Sequence, residues 1–467
     1  MPSFDPELLA AWTRGRWSRR PASAPTGFSV DSRRLSQGQA FVALKTDRRD
    51  GHDYLPAAFQ AGASAALVSH PDPIVPLPQL VVENPLAALQ AIAAGHRQAF
   101  LGTVIGITGS AGKTSTKELL AVLLGGRDAD VLATEGNLNN QIGVALTLSR
   151  LEPSHRYAVI EAGISGPGEM EPLAAMIDPD MVVVTLVGPA HLADLGGLEG
   201  VAREKAVLAA AVRRGGACFF PKSCEAFSAF RALPPDCCNV LVPSEKFGGV
   251  EPSPGLIRFA VAHTEESTTV TVASGVRSPL SVTLRRVTDG MAQNTAMAVS
   301  VALRIGIQPD EIRSRLLSWR PSPLRGEWKL SEGRRLYLDC YNANPVSMAD
   351  ALAAFRAIAP REEPRVFVIG CMEELGSGTV RYHVELGRSL SLRPGDLLMV
   401  MGSQADAIRQ GALEAGSSLG QVEIADSIEA VSMRLAGFRG SVFVKGSRRH
   451  GLERAFVGVE IAEASHA

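Results

Sequence analysis

The sequence predicts an α/β protein of three domains: a small N-terminal α/β domain, a central P-loop-type parallel sheet with appended antiparallel strands, and a C-terminal Rossmann-like, doubly wound domain. Three observations support this. At 467 residues the chain exceeds the roughly 250 to 300 at which a single hydrophobic core stops growing. Short apolar runs alternate with helical periodicity along most of its length, as strands joined by helices do. The segment Trp319-Arg320-Pro321-Ser322-Pro323-Leu324-Arg325-Gly326 follows a helical pattern ending near Leu317 and carries two prolines and a glycine, the composition of a linker. The expected boundaries are 1–99, 100–321 and 322–467.

In the first unit, apolar runs at Phe41 to Leu44, Ala65 to Val68 and Leu80 to Val82 alternate with helical pattern such as Pro85 to His96. The second opens with Val104-Ile105-Gly106-Ile107, which runs into the glycine-rich Thr108-Gly109-Ser110-Ala111-Gly112-Lys113-Thr114 and then a helical pattern over Ser115 to Leu124: strand, phosphate loop, helix. Val131 to Ala133, Ala158 to Ile160 and Met181 to Leu186 are continuously apolar, as strands covered on both faces are, so this sheet is predicted parallel. From Leu256 to Arg285 the period becomes two, with Val270-Thr271-Val272 and Val282-Thr283-Leu284 separated by Gly275 and Pro279, predicting antiparallel strands. In the third unit, strands at Leu336 to Leu338, Val366 to Ile369, Leu397 to Met401 and Val442 to Val444 alternate with helices, placing ligands at their carboxyl ends.

Composition narrows the function classes. With 46% hydrophobic and 20% charged residues the chain is globular, and a net charge of -1 offers no basic footprint for nucleic acid. The six cysteines (Cys218, Cys224, Cys237, Cys238, Cys340, Cys371) have no C-x-x-C spacing and are too sparse for a disulfide scaffold, so they read as reduced thiols without zinc. MPSFDPELLAAWTRGRW lacks a signal-peptide core, and no run of about 18 apolar residues could span a bilayer. A cytoplasmic protein, without membrane insertion, is the expectation.

The glycine-rich loop is the first chemical signal. Backbone N–H groups at a helix N-terminus, with a lysine ammonium beside them, bind phosphates; Lys113 would hold the β and γ phosphates and Thr114 would ligate magnesium. The strict pattern G-x-x-x-x-G-K-[ST] requires glycine at Ile107, but the chain places it at Gly109. Glu161 directly follows a buried strand and precedes Gly163, where a carboxylate can hold the cation that bridges nucleotide phosphates. Gly188-Pro189-Ala190-His191-Leu192 follows another buried strand, with Arg203-Glu204-Lys205 on the next helical stretch. Taken singly, a strand-end glutamate is more often a turn residue and a lone histidine more often a packing or capping residue. The nearby loop is what favours function for both.

At these residues the sequence resembles the Mur ligase family, in which the displaced loop glycine recurs. Asp339-Cys340-Tyr341-Asn342-Ala343-Asn344-Pro345-Val346-Ser347-Met348 resembles the D-x-Y-N-A-N-P-x-S-M signature of the branch that adds a dipeptide. Further matches are Gly136-Asn137-Leu138-Asn139-Asn140-Gln141-Ile142-Gly143, Asp31-Ser32-Arg33, Phe41-Val42-Ala43-Leu44-Lys45, Asp50-Gly51-His52-Asp53 and Lys445-Gly446-Ser447-Arg448. The resemblance implies an ATP- and Mg2+-dependent ligase of peptidoglycan synthesis, working through an acyl phosphate. It would join D-alanyl-D-alanine to UDP-N-acetylmuramoyl-tripeptide, as a monomer, with domains for the UDP-sugar peptide, for ATP and for closure over both.

Carried over by position, Thr108, Gly109, Ser110, Ala111, Gly112, Lys113 and Thr114 would hold the nucleotide, with Asn294 near adenine and Arg325, Asp339 and Asn342 reaching it from the linker and C-terminal domain. Thr114, Glu161, His191 and a carbamylated Lys205 would hold metal; Lys113, His191 and Lys205 would serve catalysis. Ser32, Arg33 and Lys45 would bind the uridine diphosphate end, Asn137, Asn139 and Asn140 the muramoyl peptide, and Lys445, Ser447 and Arg448 further substrate groups. Three positions depart from the family pattern: Ala193 where an acidic residue is usual, Cys371 where Asp is usual, and Thr46 where Gly is usual.

Three alternatives stay open. A relative could add a diamino acid or glutamate instead, although Tyr341-Asn342-Ala343-Asn344-Pro345 favours the dipeptide. A switch or transport ATPase would end the strand beside the loop in aspartate, and a GTPase would carry N-K-x-D; this chain has Glu161 and no N-K-x-D. A non-catalytic binding paralogue is motivated by Ala193 and Cys371.

Overall fold

A computed structural model describes residues 2–456 apart from 126–129, 246, 248–253, 275–277 and 332. Gly275, expected in a turn, lies outside the described residues. Three sheets follow one another along the chain.

The first has five short strands, β1 (Arg16–Trp17), β2 (Phe28–Ser29), β3 (Ala40–Val42), β4 (Ala65–Val68) and β5 (Gln79–Val81), in the order β1-β5-β4-β3-β2. All pairs but β1–β5 are parallel. The Pro85–Ala99 helix starts cleanly because Asn84 accepts from the backbone N–H groups of Leu86 and Ala87 and Pro85 fills the first turn. Its buried face (Ala88, Leu89, Ile92, Ala93) belongs to one continuous core with β3 and β4 on one side and Val104, Ala158 and Val182 on the other. The first unit therefore shares a core with the second. Arg97, fully buried, fastens the joint by donating to Ile177 O (3.0 Å), Phe100 O (3.3 Å), Asp178 O (2.8 Å) and Asp180 Oδ2 (2.9 Å).

The second sheet has nine strands: β6 (Thr103–Thr108), β7 (Val131–Ala133), β8 (Tyr157–Glu161), β9 (Met181–Val184), β10 (Ala217–Pro221), β11 (Cys238–Pro243), β12 (Leu256–His263), β13 (Ser267–Ser274) and β14 (Leu280–Arg285). The order is β14-β13-β12-β11-β10-β9-β6-β8-β7. From β7 to β12 all pairs are parallel, and β13 and β14 add an antiparallel edge, as the change of period implied. On β14 the alternation is complete: Leu280, Val282 and Leu284 are buried, Ser281, Thr283 and Arg285 exposed. β6 pairs with β9 on one side and β8 on the other, so the chain leaves it in both directions and a crevice opens beyond its carboxyl end.

The third sheet has β15 (Glu327–Ser331), β16 (Arg334–Leu338), β17 (Arg365–Gly370), β18 (Leu397–Met401), β19 (Val422–Ile424) and β20 (Gly440–Lys445), in the order β15-β16-β20-β17-β18-β19. Only β15 runs antiparallel. Separate apolar clusters cover its faces, one built on Phe367, Ile369 and Phe443, the other on Val366, Val368 and Val444, as expected of a doubly wound sheet. The proline-rich segment before it is packed: Trp319 and Leu324 are buried, and Gly326 N–H donates to Leu338 O at 3.0 Å. No helix among the described residues is long and apolar enough to cross a membrane.

Candidate active site

The loop after β6 takes its shape from two glycines. Gly109 has φ 149°, and a Cβ there would lie 1.8 Å from Thr185 Oγ1; Gly112 has φ 79°, and a Cβ there would lie 2.3 Å from Asn294 Nδ2. Both positions exclude a side chain by contact as well as by backbone conformation. Thr185, just past β9, donates to Ala111 O at 2.5 Å, and Ser110 Oγ donates to Gly188 O at 2.8 Å, so the loop is tied to the end of the neighbouring strand. The Lys113–Leu123 helix begins without a side-chain cap, which leaves its first N–H groups free to receive an anion. Lys113 Nζ lies over the loop, donating to Gly109 O at 2.7 Å, and burial lowers its pKa from the ordinary lysine value while Glu161 opposes the shift.

Glu161 closes β8 with 2% exposure. Its Oε1 accepts from Asn139 Nδ2 (2.9 Å) and Thr114 Oγ1 (3.3 Å), and Lys117 Nζ is 3.9 Å from Oε2, which has no hydrogen bond. A buried carboxylate oxygen without a donor, beside a threonine hydroxyl, fits a hard cation that takes oxygen ligands. Among the described residues no group of three or more His, Cys, Asp or Glu could hold a metal by itself.

His191 and Lys205 both lie within reach of the Lys113 charge. His191 has φ 50°, and its Nδ1 lies 2.8 Å from Glu374 Oε2, a residue of the third unit. Burial lowers its pKa, Glu374 opposes that shift, and the charges of Lys113 and Lys205 add to it. Lys205 is 4% exposed; burial, reinforced by the charge of Lys113, brings its ammonium down to about 7. With Ala193 in place of an acid, the carboxylate beside His191 comes from Glu374.

The third unit completes a cavity of about 500 Å³. Arg325 Nη2 donates to Thr114 Oγ1 at 3.2 Å while its guanidinium lies 4.0 Å over the Tyr341 ring. Asp339 and Lys445 pair at 2.6 Å; burial raises the Asp339 pKa, and Lys445 opposes the rise. Lys445 Nζ also donates to Asn342 O, 3.3 Å away. Asn344 caps the Pro345–Ile358 helix and donates through Nδ2 to Ser110 O, 3.2 Å away. Asn294 Oδ1, Arg286 Nε and Nη1, Trp319 Nε1, Tyr337 OH and Glu161 Oε2 are buried without hydrogen bonds, and their residues all line this one cavity. Such a concentration of unmet donors and acceptors points to a polar ligand.

Of the residues singled out from sequence, Ser110 to Thr114, Asn137, Asn139, Glu161, Asn294, Arg325, Asp339, Asn342 and Lys445 line the cavity, and Thr108 and Gly109 lead into it. The others lie elsewhere. Ser32 and Arg33 follow β2 and Lys45 follows β3, at the carboxyl ends of paired strands; Arg33 pairs with Asp31 at 2.7 Å and Lys45 with Asp50 at 3.5 Å. The Asn140 side chain accepts from Ile142 and Gly143 N–H as the cap of the Gln141–Leu148 helix. Ser447 N–H donates to Cys371 O at 3.3 Å, and Arg448 pairs with Glu453. The Cys371 thiol is buried, accepts from Gln404 N–H at 3.3 Å and has its pKa raised by burial. All six cysteines are free. Thr185, Arg286, Trp319, Tyr337 and Glu374 were not singled out as site residues; their spatial neighbours mark them as such.

Comparison with known proteins agrees with this geometry. Residues 26–102 match the Mur ligase family catalytic domain, 107–302 the Mur ligase middle domain, and 324–448 the Mur ligase glutamate ligase domain. The chain is 33% identical over 384 residues to the UDP-N-acetylmuramoyl-tripeptide–D-alanyl-D-alanine ligase of Escherichia coli K12, covering 81% of this chain and 82% of that one. A crystal structure of MurF from Acinetobacter baumannii superposes with a TM-score of 0.84 at 26% identity, over 97% of this chain and 98% of that one. MurF ligase from Thermotoga maritima in complex with ADP gives 0.77 at 26% identity, over 92% and 96%. The chain belongs to the Mur ligase family.

Proposed function

We propose that this protein uses ATP to join D-alanyl-D-alanine to UDP-N-acetylmuramoyl-tripeptide, forming the pentapeptide precursor of peptidoglycan. The observation that carries the reading is the single cavity in which the phosphate loop and Glu161 of the second sheet meet Arg325, Asp339 and the Asn342–Asn344 run of the third. The similarity to D-alanyl-D-alanine ligases over most of the chain supports the choice of substrates. The units 1–99, 100–321 and 322–467 would serve the nucleotide-sugar peptide, ATP and closure. The reaction would run in the cytoplasm on a monomer.

A carboxylate is a poor acyl donor, and ATP overcomes this. The terminal carboxylate of the tripeptide attacks the γ-phosphorus, the bond to the β–γ bridging oxygen breaks, and ADP leaves. Lys113 and the uncapped helix N-terminus receive the charge on the phosphoryl oxygens. The dipeptide amine, after losing a proton, attacks the acyl carbon, and the tetrahedral intermediate expels phosphate. Asn294 would meet the adenine, with Arg325, Asp339 and Asn342 around the nucleotide. Asn137, Asn139 and the remaining amide of Asn140 would face the muramoyl peptide, and Ser32, Arg33 and Lys45 its uridine diphosphate. Lys445, Ser447 and Arg448 would act from the third unit. Thr114, Glu161, His191 and Lys205 would hold Mg2+, which would supply charge neutralisation at the nucleotide phosphates. For Lys205 this requires carbamylation, which converts an amine into an anionic oxygen ligand; a buried lysine with a pKa of about 7 has the neutral amine that CO2 needs.

Oxygen-18 in the tripeptide carboxylate tests the activation step. One labelled oxygen should appear in released phosphate. Label remaining wholly in the peptide would exclude an acyl phosphate.

A further inference from the structure

Among the described residues, contacts that hold the third unit against the second include Arg325 to Thr114, Asn344 to Ser110, Asp350 Oδ1 accepting from Gly290 N–H at 3.1 Å, Val346 against Gly188, and Glu374 to His191. The last joins two ionisable side chains, and both residues adopt positive φ, 50° for His191 and 62° for Glu374. Such conformations persist in residues other than glycine where the surroundings impose them. Here the two loops lie against each other. Two residues on, Gly376 (φ 60°) sits so close to Ala193 that a Cβ would lie 2.8 Å from the Ala193 Cβ and 2.9 Å from its backbone N. Glycine on one side and alanine on the other set the loop distance at which the Glu374 carboxylate reaches the imidazole.

We propose that Glu374 is a positioning residue, which fixes the direction of the His191 ring only when the third unit is seated, so that closure completes the cation site. This rests on the reading of His191 as a metal ligand. With the Glu374 carboxylate 2.8 Å from Nδ1, Nε2 is the ring nitrogen left to face a cation; carboxylates beside metal-binding histidines orient the ring in this way, and loss of such a partner costs about 10- to 100-fold in metal affinity. The carboxylate arrives from another domain, so the cost would apply to every open state. His191 would then be aligned only when the cleft is shut around the reactants.

The test is Mn2+ binding to the full chain with a non-hydrolysable ATP analogue, followed by electron paramagnetic resonance and the imidazole-nitrogen coupling on the bound ion. Wild type should show the coupling and His191→Ala should lose it. Glu374→Gln should weaken Mn2+ binding about 10-fold or more with a diminished coupling. Glu374 is 60% exposed at its side chain, so the variant should fold normally. Gly376→Ala, which alters neither charge, should do the same by holding the loops apart. Wild type without nitrogen coupling overturns the ligand reading and the inference with it. Coupling lost in His191→Ala but intact, at unchanged affinity, in Glu374→Gln overturns the inference alone.

Discussion

Lys205 provides a quantitative test of the site's chemistry. With the ammonium at about 7 against the ordinary 10.5, roughly nine in ten molecules carry a neutral amine at pH 8, compared with about one in 300 for an exposed lysine. CO2 reacts only with the neutral amine, and at pH 8 the neutral fraction of Lys205 is about 300 times that of a surface lysine. Carbon-13 bicarbonate should give one carbamate resonance that grows as pH rises through about 7 and is absent from Lys205→Ala. The same variant should lose activity and regain part of it with a short carboxylic acid. A wild-type spectrum without that resonance, or full activity in Lys205→Ala without additive, would refute the carbamate. Linkage gives a companion sign. The folded pKa lies below the unfolded one, so the unfolded chain binds more protons between pH 7 and 10.5, and Lys205 adds stability as pH rises through that window. In CO2-free buffer Lys205→Met should flatten that slope.

Other outcomes follow from single contacts. Lys113→Ala should abolish phosphate release, by about 100-fold or more for a charge acting on the transferring group, while circular dichroism stays native; near-normal turnover would remove the loop lysine from the mechanism. Gly112→Ala should prevent nucleotide binding, since its Cβ would meet Asn294 Nδ2 at 2.3 Å; a fluorescent ADP analogue binding as tightly as to wild type would contradict the loop geometry. Arg97→Ala should cost about 1 to 3 kcal/mol, because it leaves three backbone carbonyls without their buried donor while Asp180 keeps Val104 N–H and Arg213; a urea midpoint near wild type would show that the joint between the first two units does not depend on it.

Much of the architecture was legible because burial on both faces leaves continuous apolar runs: β4, β6, β8, β17 and β18 all lie where those runs predict. β1, β2 and β19 have only two or three residues, too few to show any period. β10, Ala217–Pro221, is fully buried and as readable as β8, but no motif follows it to draw the eye. The helix of the first unit was expected from its periodicity, whereas its sharing of a core with the second sheet depends on Arg97 reaching Asp178 and Asp180 across the sheet edge. In the site, Lys113 and Thr114 open the helix that follows β6 and Glu161 ends β8, where sequence order and spatial position coincide. Asn140 could not be apportioned from sequence: its side-chain oxygen caps the Gln141–Leu148 helix, which leaves the amide nitrogen for a ligand. Thr185 explains the displaced glycine, and Glu374 the acid beside His191, but each acts through the tertiary contact alone.

Joining D-alanyl-D-alanine to the tripeptide through an acyl phosphate ties phosphate release to amide formation. Wild type should therefore be mixed with ATP and each UDP-N-acetylmuramoyl-tripeptide, carrying either diaminopimelate or lysine, with and without D-alanyl-D-alanine. Phosphate release and product mass are then followed together. Phosphate should appear at a steady rate only when the dipeptide is present, matched mole for mole by a pentapeptide with at least one of the two acceptors. Phosphate release independent of the dipeptide, or no pentapeptide with either acceptor, would contradict the assignment.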